Sequence, residues 1–265
     1  MSTSTELPAT APETELAPDT RFRRVGGALS LLASGTLVFA SLLMIPYENQ
    51  TVAAYLQTGV DHRTNILWAA VVLHFGYLLL VPAAFTLIRL ARRRLPKTSL
   101  VALVLSGLGM GLSGLIVVDF YDVALANALP ADEALRIFDL AASYGQGALV
   151  AAPSVIGMAL GINLAMFVAW RARAIPVFPL VLSVVGWLVF TFFSGDAWLP
   201  SLGSGLVAIG MAWAGVIVVK MRDQVWDRLK PPTTSRARQR TALPGPAAMR
   251  GLRARTAPAL SLIHI

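Results

Sequence analysis

The chain contains no cysteine and very little charge. Without cysteine it can form no disulfide, thiolate metal site or iron–sulfur cluster, and it has no thiol nucleophile. Charged residues are 14% of the 265, whereas a soluble domain carries roughly a quarter, and hydrophobic residues are 56%. A soluble protein of this length could not enclose so much apolar surface. Because lipid can cover that surface instead, the composition indicates an integral membrane protein.

Six apolar runs are long enough to form transmembrane helices. A helix needs roughly 20 apolar residues to cross about 30 Å of hydrocarbon. The predicted spans are residues 25–45, 66–88, 99–118, 147–170, 175–193 and 199–219. The sequence therefore predicts an all-α polytopic membrane protein whose six-transmembrane-helix bundle occupies residues 21–222.

The basic residues predict how the bundle is oriented. Lys and Arg in short loops favour the cytoplasmic side of a membrane. If Met1 is inside, Arg63 and Arg136 are the two of the 22 basic residues that fall outside. The short loops at 89–97 and 171–173 alone give the same orientation. We therefore predict cytoplasmic termini in a bacterial cytoplasmic membrane, and we attribute the net charge of +8 to this distribution rather than to nucleic-acid binding.

The two ends of the chain are predicted to lie outside the bilayer. Residues 1–20 are rich in Thr, Ala, Pro and Glu without an apolar period, which favours a disordered tail, with a cleaved signal peptide as the alternative. Residues 223–259 form a basic tail that is also predicted to be disordered and is either solvated or bound to anionic lipid headgroups. A brief continuation of the last helix over residues 221–230, stopped by Pro231 and Pro232, is the alternative for its first part. Residues 260–265 match the translation of a transposon-end sequencing adapter, so we expect them not to be native.

The loop before the fourth predicted span contains a helix-start pattern. Pro130 is followed by Asp132 and Glu133, and acidic residues are favourable in the first turn of a helix. One interpretation is a separate amphipathic helix with its apolar residues on lipid headgroups, while Arg136 and Asp139 face water. The other is a simple extension of the fourth span.

Four polar residues within or beside the spans are the candidate functional residues. His74 is the one ionisable residue inside a predicted span, and such residues are costly in lipid. We expect it to hydrogen-bond Ser113, Asn163 or a backbone carbonyl; a proton relay, a ligand site and a haem or metal role are the alternatives. Asp119, at the outer end of the third span, is its best charged partner. Asn163 is predicted to bond across helices.

No motif in the sequence indicates a cofactor, a metal or a catalytic residue. A haem held by two histidines needs a second histidine at the depth of His74, but His62 lies in a loop and His264 in the adapter-like end. The outer carboxylates match no metal-ligand spacing. Residues 111–114 (GLSG) resemble the GxSG motif of rhomboid intramembrane proteases, yet no later span contains a histidine to serve as base.

Small residues four apart predict close helix packing. The pairs are Gly107 with Gly111 on the third span and Gly157 with Gly161 on the fourth.

The apolar spans, the arginine-rich tails and residues 73–82 (LHFGYLLLVP) resemble uncharacterised multi-pass membrane protein families common in high-GC Gram-positive bacteria. The resemblance implies no activity. Small-solute transport near His74, Ser113 and Asn163 is one functional hypothesis, and it predicts a homodimer because six spans are few for a transporter. The alternative is a non-catalytic scaffold or regulatory subunit packed against a partner membrane protein. An enzyme within the membrane has the least support.

Overall fold

The computed structural model describes residues 19–46, 51–193 and 198–228, and these residues form eleven helices and no strand. The helices are α1 (Asp19–Met44), α2 (Val52–Asp61), α3 (Arg63–Ala91), α4 (Pro96–Gly109), α5 (Gly111–Leu115), α6 (Val117–Ala128), α7 (Ala131–Ser143), α8 (Gln146–Arg171), α9 (Val177–Phe192), α10 (Leu199–Lys220) and α11 (Asp223–Arg228). Most of the predicted N-terminal tail, the basic tail beyond residue 228 and the adapter-like end lie outside the described residues.

Five helical stretches in the described ranges are long and apolar enough to cross a membrane. They are Asp19–Met44, Arg63–Ala91, Pro96–Ala128, Gln146–Arg171 and Leu199–Lys220. The third combines α4, α5 and α6, because Met110 and Ile116 between them keep helical dihedral angles. These stretches contain or closely match five of the six predicted spans, and the predicted all-α membrane class is confirmed.

The remaining predicted span corresponds to α9, an apolar helix of 16 residues. At 1.5 Å per residue it is about 24 Å long, which is shorter than the hydrocarbon core of a typical bilayer. The number of crossings therefore depends on whether α9 and its flanking residues span the membrane together.

The long helices pack around α1 and α3. Helix α1 lies between α3 and α10, α10 also packs against α9, and α8 contacts both α3 and α4. The largest buried side chains in this core include Leu31, Leu87, Met166 and Met211. Large apolar side chains also cover the outside of the bundle, which is the arrangement expected where lipid is the solvent.

Arginine side chains donate hydrogen bonds to backbone carbonyl groups at the C-terminal ends of two long helices. Arg24 on α1 donates from Nε to Asp223 at 2.8 Å and from Nη1 to the backbone carbonyl of Val219, at the end of α10. Arg94 donates to the carbonyl of Ala172 at 2.6 Å, just after α8. Cations in these positions satisfy free carbonyls and interact favourably with the helix dipole.

The prediction that disorder begins at residue 223 is wrong for the first six residues. Asp223–Arg228 form α11, which follows α10 after a break at Met221. Trp226 is buried, and the Arg89 guanidinium lies 4.8 Å from the centre of its ring. Burial of the indole and the Arg24–Asp223 ion pair together hold this segment against the bundle.

Helix α7 is a separate helix rather than an extension of α8. It begins after Pro130 with Asp132 and Glu133 in its first turn, as predicted. It ends at Ser143, and the extended backbone of the next residue, Tyr144 (φ −78°, ψ 95°), separates it from α8. Of the two interpretations of this loop, the separate helix is confirmed, and contact of its apolar residues with lipid headgroups stays a prediction.

Candidate functional site

A cavity of about 450 Å³ lies beside the C-terminal end of α1, at the opposite end of that helix from Arg24. Helices α2, α3, α6 and α7 form its other walls, and we refer to it as the α2–α6 cavity. Its lining residues are Ile45, Pro46, Val52, Tyr55, Thr58, Ile66, Ala70, Leu73, Asp119, Asp122 and Phe138.

Two helices place residues of opposite character in this cavity. On α3, Ile66, Ala70 and Leu73 recur at i, i+4 and i+7, so they share one face and form an apolar wall. On α6, Asp119 and Asp122 are three residues apart and therefore also share a face. The cavity thus combines an apolar side with two carboxylates.

Helix α2 contributes a phenol to the cavity. The helix starts at Thr51, whose side chain accepts a hydrogen bond from the Ala54 amide at 3.2 Å as an N-cap. One turn later the Tyr55 hydroxyl donates to the carboxylate of Asp122 at 3.2 Å, and its ring centroid lies 6.2 Å from that of Phe138. Tyr55 therefore connects α2 to both α6 and α7.

The Tyr55 hydroxyl stays protonated in this position. Burial raises the pKa of Tyr55 above its ordinary value, and the negative charges of Asp119 and Asp122 raise it further. The phenol can therefore serve as a hydrogen-bond donor to a carboxylate or a ligand throughout the physiological pH range.

The two carboxylates carry charge that the described residues do not neutralise. Within residues 19–46, 51–193 and 198–228, neither Asp119 nor Asp122 forms an ion pair, and the Asp119 side chain accepts no hydrogen bond. Both side chains are partly buried. An unpaired carboxylate at an apolar surface is unfavourable, so this charge favours the entry of a cation.

His74 is bound elsewhere, deeper in the bundle. Its Nδ1 lies 2.9 Å from the backbone carbonyl of Ser113, so the Nδ1–H donates and the carbonyl accepts. The predicted contact between His74 and Ser113 is confirmed. The predicted pairing of His74 with Asp119 is wrong for the described side chains, which form no such ion pair. Asp119 lies six residues beyond Ser113, about 9 Å along the helix axis.

Asn163 forms hydrogen bonds with a different set of residues, on α8 and α9. Its side-chain oxygen accepts a hydrogen bond from Ser183 on α9 at 2.8 Å, and its amide donates to the carbonyl of Ala159 at 2.7 Å. The predicted bond across helices is confirmed. The Ser113 hydroxyl donates to the carbonyl of Met110, on its own helix. The structure thus joins His74 to Ser113 by a hydrogen bond, whereas the side chain of Asn163 bonds to Ser183 and Ala159 instead.

Three of the four predicted packing glycines lie where α8 meets α4 and α5. A Cβ atom on Gly161 would lie 2.6 Å from the Ser106 nitrogen, one on Gly157 would lie 2.7 Å from the Leu105 oxygen, and one on Gly111 would contact Ser154. Gly107 is the exception, since a Cβ there would meet nothing within 4 Å. Each residue turns the helix by about 100°, so Ser106 faces α8 while Gly107 faces away from it.

Tyr55 and Thr58 were not predicted to be functional residues. They lie in residues 46–65, between the first two predicted spans, which were expected to form a loop, although Thr51 followed by apolar residues is a helix-start signal. The i, i+3 spacing of Asp119 and Asp122 was the other available signal, because it places both carboxylates on one face. Comparison of the chain with protein-family models, with curated proteins and with solved structures gave no match.

Proposed function

We propose that the chain crosses a bacterial cytoplasmic membrane six times, with both termini inside. The five long apolar stretches and the shorter α9 supply six segments. The basic residues support the orientation, because the α2–α6 cavity end of the bundle would then face outward and Arg24, Arg94 and Arg171 would face inward.

The absence of native cysteine makes this topology directly testable. In intact cells, a membrane-impermeant maleimide should label Asp132→Cys, whose side chain is exposed on α7. Lys97→Cys and Arg171→Cys should react after permeabilisation and not before. Labelling of either inner variant in intact cells would contradict the topology.

We propose that the chain binds a small solute in the α2–α6 cavity and moves it across the membrane. The observation that carries this proposal is the cavity itself, whose volume of about 450 Å³ lies within the range of small-molecule sites. It joins apolar walls to a few polar groups, which is the usual composition of such sites.

The proposal is tested by measuring solute uptake by the natural chain and by a variant whose cavity is filled. Ala70 lines the cavity from α3 and is buried, so Ala70→Phe places a ring in the space. Proteoliposomes are incubated with a mixture of small metabolites, and their contents are identified by mass spectrometry. Uptake by the natural chain should be lost with Ala70→Phe and kept with Leu100→Phe, on the exposed surface of α4.

Equal contents in liposomes with and without the chain would contradict transport. That result would favour the other function, a non-catalytic scaffold or regulatory subunit that packs against a partner membrane protein. Co-purification with one membrane protein at fixed stoichiometry would support it.

We also propose that two copies associate and that the basic tail contacts anionic lipid. Six spans are few for an autonomous transporter, which supports the homodimer, and the many basic residues after residue 228 support headgroup binding. Mass measurement of the purified protein tests the dimer. Binding of a synthetic 231–259 peptide to anionic but not neutral vesicles tests the tail.

A further inference from the structure

We propose that the solute of the α2–α6 cavity is an organic monocation, with its charged group beside Asp119 and Asp122 and its apolar part against α3. This inference rests on the proposed solute binding and names the chemical class that the cavity recognises.

The charge of the lining is the first argument. The residues that line the cavity include two carboxylates and no Lys, Arg or His. Neither carboxylate has a cationic partner among the residues that the structure describes. An anionic ligand would be repelled, and a neutral one would leave the charges unpaired in partly apolar surroundings. A monocation avoids the repulsion and neutralises one of the two negative charges.

The aromatic rings are a second and independent argument. Tyr55 and Phe138 both line the cavity, with ring centroids 6.2 Å apart. The faces of aromatic rings attract ammonium groups through their quadrupoles. Because the Tyr55 hydroxyl donates to Asp122, its ring is held close to the carboxylates. Aromatic rings that line the same cavity as two carboxylates are suited to an ammonium group.

The size and donor set of the cavity favour an organic cation over a metal ion. No group of three or more His, Asp or Glu side chains in the described part of the chain could hold a metal. The cavity of about 450 Å³ is many times larger than a bare ion, and Ile66, Ala70 and Leu73 offer that space an apolar wall. An amine or quaternary ammonium with a hydrocarbon body can place its charge beside the carboxylates and its apolar part against the apolar wall.

Three probes of similar size and different charge test the assignment. They are benzyltrimethylammonium, N-benzylacetamide and phenylacetate, each titrated calorimetrically into the purified full chain in neutral detergent. We expect the cation to bind at least about tenfold more tightly than the neutral probe, because both the carboxylates and the aromatic rings attract a quaternary ammonium group. Phenylacetate should show no binding.

Two substitutions locate the charged group. Asp119→Asn and Asp122→Asn keep the side-chain size and remove one charge each, so each should weaken the electrostatic attraction and hence binding of the cation by about tenfold. N-benzylacetamide should bind the variants at least as tightly as it binds the natural chain, because one unpaired charge has been removed, and this shows that the cavity is intact in the variants. Asp132→Asn, an exposed carboxylate on α7 outside the cavity, is the matched control and should bind as the natural chain does.

The outcomes separate this inference from the proposed function. Equal binding of the cation and the neutral probe, or cation binding that both Asn variants leave unchanged, would overturn the monocation assignment while solute binding stands. Binding of none of the three probes would also overturn it. The uptake experiment with Ala70→Phe would then decide independently whether the cavity takes a solute of another class.

Discussion

Replacing Gly161 by alanine tests the closest approach between α8 and α4. A Cβ atom at this position would lie 2.6 Å from the nitrogen of Ser106 and 2.8 Å from its Cα and Oγ. Ordinary contacts between carbon atoms are about 3.5–4.0 Å, so the helices must separate locally by about 1 Å. Two of the three crowded atoms are backbone, so a change of rotamer at Ser106 cannot relieve the overlap.

The expected magnitude follows from two opposing effects. Extra volume in a packed interface costs about 1–3 kcal/mol, while replacing glycine by alanine in a helix gains about 1 kcal/mol in propensity. Gly107→Ala is the matched control, because it gains the same propensity and its Cβ meets nothing within 4 Å. The propensity term cancels between the two variants, so Gly161→Ala should be about 1–3 kcal/mol less stable than Gly107→Ala.

Reversible unfolding in mixed detergent micelles measures this difference. The helix content is followed by circular dichroism as the fraction of sodium dodecyl sulfate increases. Extrapolation gives the free energy of unfolding of each variant. A Gly161→Ala variant as stable as Gly107→Ala would refute the close contact between α4 and α8.

Four further substitutions, in three experiments, are expected to change stability in the same assay. Arg173 has a φ of 60°, so Arg173→Gly should stabilise the chain by about 0.5–1 kcal/mol, and a loss of stability would contradict the left-handed backbone. Ser183→Ala removes the hydrogen bond to Asn163 and should destabilise by about 0.6 kcal/mol; no loss would show that the bond contributes nothing. Arg24→Gln and Asp223→Asn should show a coupling free energy of about 1–2 kcal/mol in a double-mutant cycle, and additive effects would argue against the ion pair.

The long helices were predictable because their signal is local. A run of about 20 apolar residues predicts a membrane helix wherever it occurs in the chain. Helix α2 has 10 residues and no such run, so its N-cap at Thr51 was the one strong signal for it. A brief helix before Pro231 was one expectation for the segment of α11, but its packing could not be predicted, because what holds it is a tertiary contact of Trp226 rather than a pattern in its own sequence.

The sites were less predictable because they depend on which faces of distant helices meet. Spacing alone identifies small residues four apart, but it cannot tell whether Gly107 or its neighbour Ser106 faces α8. The α2–α6 cavity is built from α1, α2, α3, α6 and α7, and no segment of fewer than about 90 residues contains all its walls. Its carboxylates could be recognised as a pair from their spacing, but their apolar surroundings could not.

Whether a polar side chain already has a hydrogen-bond partner indicates a functional role better than how rare that residue is in membrane spans. His74 is unusual in sequence because ionisable residues are costly in lipid, and that cost identifies it as a candidate. In the structure its Nδ1–H is bound to the Ser113 carbonyl, and Asn163 is bound to Ser183, so their side chains already serve to join helices. Asp119 has no such partner among the described residues and faces a cavity. Since an unsatisfied charge lowers its free energy by binding a ligand and a satisfied dipole gains little, function is expected at Asp119 rather than at His74.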